Sequence, residues 1–294
     1  MNLSRRMRFV VGVACAMTAC LAAPNADAAY SCTLSITAIS TVYSPTVVTN
    51  NDSTGTYTIS CVRTGASDAT MTYTLRATNG NQPTGNTNRV QFGAAANRYS
   101  YEIYRDAAYS QEWRNNAATE ISGTLNFGAS STATLTGLFY LRVFGNQPVD
   151  PAGTYTDAVT ITLNPEGGGN NATATLNVTV ITTNSCQINF PPTTMTFNYV
   201  ALQAGPALAS SSFGLRCTTG LPYTMTLDAN NVTDNAVGLA YTLSITPPSG
   251  TGNGATQTRT INGTMAGGQA GKCSVGFCTN AASTNKTRTL TVTY

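Results

Sequence analysis

The stretch Ala172-Thr-Ala-Thr-Leu-Asn-Val-Thr-Val180 alternates apolar and polar residues along its whole length. Successive side chains of a β-strand point to opposite faces, so this stretch has one apolar face and one polar face. Much of the chain follows the same pattern, in short alternating stretches rich in Thr, Ser and Asn and bounded by Gly, Asn and Pro. Helical periodicity is hard to find. The sequence therefore predicts an all-β protein made of antiparallel sheets.

An internal repeat divides the chain into two related halves. The segment Tyr57–Cys61, which ends an alternating stretch, has a counterpart in Phe213–Cys217, and a second alternating stretch follows each of them. Short strands at this density with turn-rich connections are typical of β-sandwiches. We expect two tandem immunoglobulin-like antiparallel β-sandwiches, a first unit at residues 29–183 and a second unit at residues 184–294.

Residues 1–28 have the three parts of a secretory signal. Three arginines are followed by an apolar run from Phe9 to Ala23 and by the small residues around Ala28. We expect cleavage after Ala28 and export of the mature chain. A lipoprotein signal ending at Cys20 is the alternative interpretation. Nothing else in the sequence has the length and apolarity of a membrane span.

The composition excludes several classes of function. Charged residues make up 9% of the chain and the formal net charge is +3, which is too little basic charge for a nucleic-acid partner. The chain contains no histidine, which excludes Ser-His-Asp and Cys-His catalysis and histidine-ligated metals. We expect no cofactor, no metal site and no catalytic residue.

Four carboxylates lie close together in the sequence, at Glu102, Asp106, Glu112 and Glu120. A pair of carboxylates can hydrolyse glycosides, but only at a fixed separation, and nothing in the sequence fixes one here. Glu102 alternates with Tyr101 and Ile103 and is expected to face solvent. We therefore predict a protein that is not an enzyme.

Six cysteines remain after the predicted cleavage, and an even number in an exported protein predicts disulfides. Six cysteines allow 15 pairings. Their spacing favours one pairing, which is Cys32 with Cys61, Cys186 with Cys217, and Cys273 with Cys278. No pair has the spacing of a redox or zinc motif.

A set of motifs in the first unit resembles the spore coat protein U family. They are Tyr101-Glu-Ile-Tyr-Arg-Asp106, Trp113, Gly145-Asn-Gln147 and Gly153-Thr-Tyr-Thr-Asp157, and the ending Arg288–Tyr294 of the second unit is also similar to the family's final strand. This is the domain type of subunits in archaic, Csu-type chaperone-usher pili. The resemblance implies a pilus subunit that a periplasmic chaperone folds and an outer-membrane usher exports. The family often has Gly where this chain has Arg114.

The family's mode of assembly makes predictions for both units. Each subunit resembles an incomplete sandwich, and an adjacent pilin subunit donates the missing strand to the open edge. We interpret the stretch from Ala172 as the first unit's own last strand, with a core face made of Ala174, Leu176, Val178 and Val180. The second unit has no such stretch, and we expect its edge strand, with Leu290, Val292 and Tyr294, to accept a strand.

Only Ala29-Tyr-Ser31 stand between the predicted cleavage site and Cys32. This is too short for a donor strand, which predicts a subunit that accepts a strand, donates none and sits at the pilus tip on the cell surface. The function that follows is adhesion to abiotic or host surfaces and biofilm formation. Two alternatives stay open: a structural coat or shaft subunit, and a carbohydrate-binding adhesin.

Binding in β-sandwiches is usually carried by loops. Apolar and aromatic residues in the Gly- and Asn-rich stretches of the first unit are therefore candidates for adhesion. They are Phe92, Tyr109, Trp113 and Phe127. Packing in the core is the alternative role for these side chains, and it is the favoured one for Trp113.

Overall fold

A computed structural model describes residues 30–64, 69–272 and 280–294. Every regular element in these ranges is a β-strand, so the prediction of an all-β fold is confirmed. No helix in the described ranges has the length and apolarity needed to cross a membrane. The predicted signal at residues 1–28 and the predicted pair of Cys273 and Cys278 lie outside the described residues.

The first unit contains ten strands. They are β1 (Tyr30–Ile36), β2 (Ile39–Tyr43), β3 (Asn51–Arg63), β4 (Thr70–Ala77), β5 (Asn88–Gln91), β6 (Arg98–Tyr104), β7 (Ile121–Asn126), β8 (Thr132–Val143), β9 (Gly153–Pro165) and β10 (Ala172–Thr182). The described residues of the second unit form eight. They are β11 (Cys186–Phe190), β12 (Ala207–Cys217), β13 (Pro222–Leu227), β14 (Asn231–Thr233), β15 (Ala240–Thr246), β16 (Ser249–Thr251), β17 (Thr256–Met265) and β18 (Leu290–Thr293).

The strands of the first unit form one hydrogen-bonded sheet in the order β1-β3-β8-β6-β5-β9-β10-β2, with β4 paired to β9 and β7 paired to β4. The pair of Gln91 and Thr156 joins β5 to β9, and it links a group of strands around β3 to a group around β9. Apolar residues from both groups pack into one buried cluster, with Phe139 and Tyr99 from the first group and Val159 and Leu176 from the second. The sheet therefore folds over a single core.

The second unit is built of two separate sheets. One has the order β11-β12-β17-β15-β14 and the other the order β16-β13-β18. Its buried apolar residues fall into two smaller clusters, one around Phe213 and Tyr223 and the other around Tyr199 and Met265. Many of the side chains packed against these clusters are only partly buried. The core of the second unit is thus smaller and more open than that of the first.

Two disulfides occupy equivalent places in the two units. Cys32 of β1 is bonded to Cys61 of β3, and Cys186 of β11 is bonded to Cys217 of β12. In both cases the two cysteines are direct cross-strand partners in an antiparallel pair. Each bond therefore fastens the first strand of a unit to its neighbour in the sheet, and the match shows that the two units share this part of their architecture.

A small set of polar contacts joins the units, and we call it the joint. Three residues separate the end of β10 from the start of β11. The hydroxyl of Thr219 donates to the carbonyl of Val149 at 2.8 Å, and the Thr46 hydroxyl lies 3.3 Å from that of Ser185. The disulfide end of the second unit, with Thr219 just after Cys217, therefore lies against the first unit.

Candidate functional site

Strands β9 and β18 hold corresponding positions in the two units. Strands β3 and β12 carry the second cysteine of each disulfide, the next strands along the chain are β4 and β13, and these pair antiparallel with β9 and β18. The other edge of β9 is covered by β10. Among the described residues, no strand pairs with the other edge of β18. Within the described ranges, the second unit therefore has an open edge where the first unit has a strand.

Strand β10 is hydrogen-bonded on both sides. It runs antiparallel to β9 over 11 residue pairs, from Ala172 opposite Leu163 to Thr182 opposite Gly153. On its other side it runs parallel to β2 over five pairs, ending with Thr182 opposite Tyr43. A strand that pairs along both edges is an internal strand of the sheet, so β10 is fully integrated into the first unit.

The side chains of β10 alternate between core and solvent. The residues predicted to form its core face are Ala174, which is half-buried, and Leu176, Val178 and Val180, which have no exposed surface. The intervening Thr175 and Asn177 are exposed. Full burial of an aliphatic side chain contributes about 1.5–3 kcal/mol, so this strand supplies a large part of the first unit's stability.

An open cleft of about 740 Å³ lies beside β18 in the second unit. Its lining includes Leu290 of β18 and most of the segment Thr193–Tyr199. That segment lies between β11 and β12 in the chain, just as β2 lies between β1 and β3. Because β2 covers one edge of β10, a strand placed in the open cleft would have β18 on one side and Thr193–Tyr199 on the other.

The open cleft exposes apolar surface. Leu290 lines it and is only half-buried, as is Val292 on the same strand. Tyr294 is 57% exposed but lines a different pocket. Met195 and Phe197, which also line the open cleft, are only partly buried. A groove with exposed apolar side chains beside an unpaired strand edge is the surface that strand addition requires, since main-chain hydrogen bonds and side-chain burial are both available.

Two of the four candidate adhesive residues lie in the core, which is the role favoured for Trp113 and the alternative role for Phe127, so neither is an exposed adhesive residue. Trp113 is 1% exposed, and its indole nitrogen donates to the carbonyl of Leu75 at 2.8 Å. Phe127 is 4% exposed and stacks on Tyr30, with ring centroids 5.6 Å apart. Both follow a strand directly or fold back against one, so they fill the interior although they stand in polar, turn-rich sequence.

The other two candidates are half-buried and lie in different surroundings. Phe92 packs against Tyr155 at a centroid distance of 5.2 Å. Tyr109 has a φ of 55°, and its ring lies 3.9 Å from the guanidinium of Arg142. That guanidinium forms two hydrogen bonds with Asp52, at 2.7 and 2.8 Å. The four candidates thus have separate sets of neighbours and define no common binding surface.

Glu102 is buried, contrary to the prediction that it faces solvent. It is 2% exposed, and one carboxylate oxygen lies 2.6 Å from Arg114. The backbone after β6 folds back along this strand, with the amide of Trp113 donating to the carbonyl of Ile103 at 2.8 Å. Positions 101–104 of β6 are all buried, so both faces of this strand are covered and the alternation that identifies a solvent face fails here.

Arg114 connects two of the clustered carboxylates. It lies 2.7 Å from Glu112 as well as 2.6 Å from Glu102. Burial raises the pKa of Glu102 to about 7, although the nearby Arg114 acts to lower it. The hydrogen bond from Arg114 lowers the pKa of Glu112. This arrangement is an ion-pair network that fixes the loop after β6. The sequence offered one signal for it, the Arg at a position where the family often has Gly.

Replacing Glu102 with glutamine should flatten the dependence of stability on pH. The carboxyl has a pKa of about 7 in the folded protein and about 4.3 in an unfolded chain. The folded state therefore binds more protons between these values, and the stability of the wild type should fall as pH rises from 5 to 8. We expect the melting temperature to drop by several degrees across this range in the wild type and to change less in the variant.

Circular dichroism melts of the mature chain at intervals from pH 5 to 8 would measure this effect. Glu112→Gln is the matched control, because the pKa of Glu112 is lowered and its titration falls below the range. Glu112 is one of the smaller causes that raise the pKa of Glu102, so the control should keep most of the wild-type slope. An identical slope in Glu102→Gln would show that Glu102 stays ionised in the folded protein throughout.

The chain belongs to the spore coat protein U family. The model of the Spore Coat Protein U domain matches it twice, at residues 14–162 and 172–270. The second match begins at Ala172, which is the first residue of β10. By family alignment β10 thus opens the second copy of the domain, while in the structure it completes the sheet of the first unit.

Solved structures that match the chain include subunits of pili. A chain of the CsuC-CsuE chaperone-tip adhesion subunit complex from the archaic chaperone-usher Csu pili of Acinetobacter baumannii is 14% identical, with a TM-score of 0.50, covering 89% of this chain and 100% of that one. The CooA pilin subunit from enterotoxigenic Escherichia coli is 14% identical, with a TM-score of 0.35, covering 51% and 99%. The CupB6 tip adhesin from Pseudomonas aeruginosa is 8% identical, with a TM-score of 0.33, covering 85% and 90%.

At these identities the likeness concerns the fold alone. No protein of curated function matches the chain. Membership of the spore coat protein U family, together with the all-β fold, identifies a structural protein and not an enzyme.

Proposed function

We propose that this protein is the tip adhesin of a chaperone-usher pilus, exported to the cell surface, where it attaches cells to surfaces and supports biofilm formation. The observation that carries the proposal is the contrast between two equivalent edges. One edge of β9 is paired with β10, whereas the corresponding edge of β18 has no partner strand in the described residues. A chain with one complete and one open unit is suited to the end of a fibre.

The position of β10 supports assembly by strand exchange. This strand opens the second copy of the family domain and fills the edge of the first. The two units are therefore linked in the way that successive subunits of such a fibre are linked, with the leading strand of one domain inserted into its neighbour. The open cleft of the second unit offers the next acceptor site.

The open cleft also gives a physical reason for a chaperone. It exposes apolar side chains beside an unpaired strand edge, and such an edge promotes aggregation. We propose that a periplasmic chaperone covers it before assembly, that an outer-membrane usher exports the complex, and that a strand from the adjacent pilin subunit replaces the chaperone. Burial of the same apolar residues drives both steps.

We assign the protein to the pilus tip because its first described residues pair within the first unit's own sheet. Tyr30 and Ser31, which precede Cys32, already lie in β1 and pair with Arg63 and Val62 of β3. In the described part of the chain, the residues ahead of the first disulfide are therefore already paired within the first unit's own sheet. Adhesion then falls to the first unit, which is farther from the open cleft.

The loops of the first unit at the end away from the joint are polar. Strand β9 begins near the joint and ends at Pro165, and the turn 166–171 after it contains three glycines and two asparagines. The turn 127–131, before β8, is similarly small and polar apart from the buried Phe127. This chemistry favours a hydroxylated or glycan surface as the target, which keeps the carbohydrate-binding adhesin as the second candidate.

Immunogold labelling of piliated cells would test the tip position. With antibodies against the first unit, we expect one cluster of gold at the free end of each pilus, and we expect cells that lack the gene to lose surface attachment while still making pili. Label along the whole length would show a shaft subunit and reject the proposal. Inhibition of attachment by soluble sugars, but not by non-ionic detergent, would select the carbohydrate-binding form.

A further inference from the structure

An exposed apolar turn follows Tyr199 in the second unit. Val200 is 46% exposed and Leu202 is 67% exposed. Leu202 adopts a φ of 61°, a left-handed conformation that is unfavourable for a bulky side chain. The turn is nevertheless well fixed, because the amide of Leu202 donates to the carbonyl of Gln269 at 2.8 Å and the amide of Gln203 to that of Val200 at 3.1 Å. The fold thus holds two apolar side chains in solvent on a rigid turn.

The turn lies at the end of the second unit away from the joint. Strand β13 begins at Pro222, just after the joint residue Thr219, and β18 runs antiparallel to it with Leu290 opposite Leu227. The Leu290 end of β18 is therefore the far end. Tyr199, directly before the turn, lines the open cleft and packs with Met265. The turn consequently stands next to the open cleft at this far end.

The direction in which a donated strand lies in the open cleft determines which part of the donor subunit lies at the far end. In the first unit the completing strand β10 runs antiparallel to β9, and the next unit starts three residues after it ends. A strand that enters the open cleft in the same sense starts beside Thr293 and ends beside Leu290. The body of the subunit that donates it then follows at the far end, beside the turn at Val200 and Leu202.

The joint inside the chain provides a model for this contact. In the first unit, Tyr43 ends β2, and Thr46 in the segment after it contacts Ser185, which lies between β10 and the cysteine of β11. The turn after Tyr199 has the same place in the second unit, because it follows the segment that corresponds to β2. The first unit thus already uses this position to contact the residues that follow an inserted strand.

We infer that Val200 and Leu202 form the contact with the adjacent pilin subunit, at the residues between its donated strand and its first cysteine. This inference rests on the proposed function, since it requires that a strand fills the open cleft. The partner surface is apolar where it meets Leu202, because burial of two aliphatic side chains needs an apolar counterpart. The inserted strand and this contact together hold the tip to the shaft at two points, and this restricts rotation of the tip.

Photo-cross-linking in piliated cells tests this contact with the full chain. A photoreactive benzoylphenylalanine is introduced at one position at a time: 202, 291 or 138. Leu138 is the matched control, since it is a leucine with 52% exposure on β8 of the first unit. The exposed Thr291 of β18 reports on strand insertion. Isolated pili are irradiated, and the cross-linked peptides are identified by mass spectrometry.

We expect position 291 to cross-link to the donated strand of a pilin and position 202 to cross-link to the same pilin, in the segment that follows that strand. Position 138 should give no cross-link. A product at 291 without one at 202 would overturn the contact and leave the proposed function standing. The absence of a product at 291 would reject strand insertion itself, and a product at 202 that maps to another protein or another segment would also overturn the inference.

Discussion

Replacing Val178 with aspartate should unfold the first unit. Val178 has no exposed surface and lies in the middle of β10, between β9 and β2. An aspartate there places an unpaired carboxylate in an apolar core, which costs more than about 4 kcal/mol and is comparable with the whole stability of many domains. The yield of mature protein from the periplasm and its thermal unfolding by circular dichroism would measure the loss.

The neighbouring residue provides the control for this experiment. Asn177 lies on the same strand with its side chain exposed, so Asn177→Asp adds the same charge to the solvent face. The control should keep the wild-type yield and melting temperature to within a few degrees. If Val178→Asp also melted like the wild type, β10 would not be an internal strand of the first unit in solution.

Strand β10 also illustrates what the sequence alone can reveal. The strict alternation from Ala172 to Val180 assigns the core face to the residues at even positions, and the structure buries Leu176, Val178 and Val180 completely. The alternation works here because the outer face of β10 is mostly exposed to solvent. The sequence could not indicate that β10 has β2 as a second neighbour, since a parallel pairing over so long a separation depends on the whole fold.

Glu102 is buried although local alternation places it in solvent. The segment after β6 returns along the edge of this strand, with the amide of Trp113 bonded to the carbonyl of Ile103, and positions 101–104 of β6 are all buried. Arg114, the residue after Trp113, thereby becomes the partner of Glu102. Local alternation predicts which side chains share a face, but it contains no information about a loop that later packs on that face.

Adding a completing strand to the second unit should stabilise it strongly. The change is a copy of residues 166–182, the turn and strand that follow β9, attached after Tyr294. Strand β18 would then continue into a hairpin like that of β9 and β10, and the added strand would lie antiparallel to β18 in the open cleft. Burial of its three large apolar residues contributes roughly 5 kcal/mol, which corresponds to at least about 10 °C in melting temperature.

Differential scanning calorimetry of the mature chain would follow the transition of the second unit in the two forms. The matched control carries the same extension with the copied leucine and valines replaced by threonine, which keeps the tendency to form a strand but removes the apolar face. It should melt like the unextended chain.

The comparison separates the two contributions to strand addition. Main-chain hydrogen bonds to β18 are available to both extensions, whereas only the apolar one fills the space between Leu290 and the segment Thr193–Tyr199. A gain confined to the apolar extension therefore identifies the open cleft as the acceptor site. Equal melting of all three forms would mean that the edge of β18 is closed in solution, and the second unit would then have no place for a neighbouring subunit's strand.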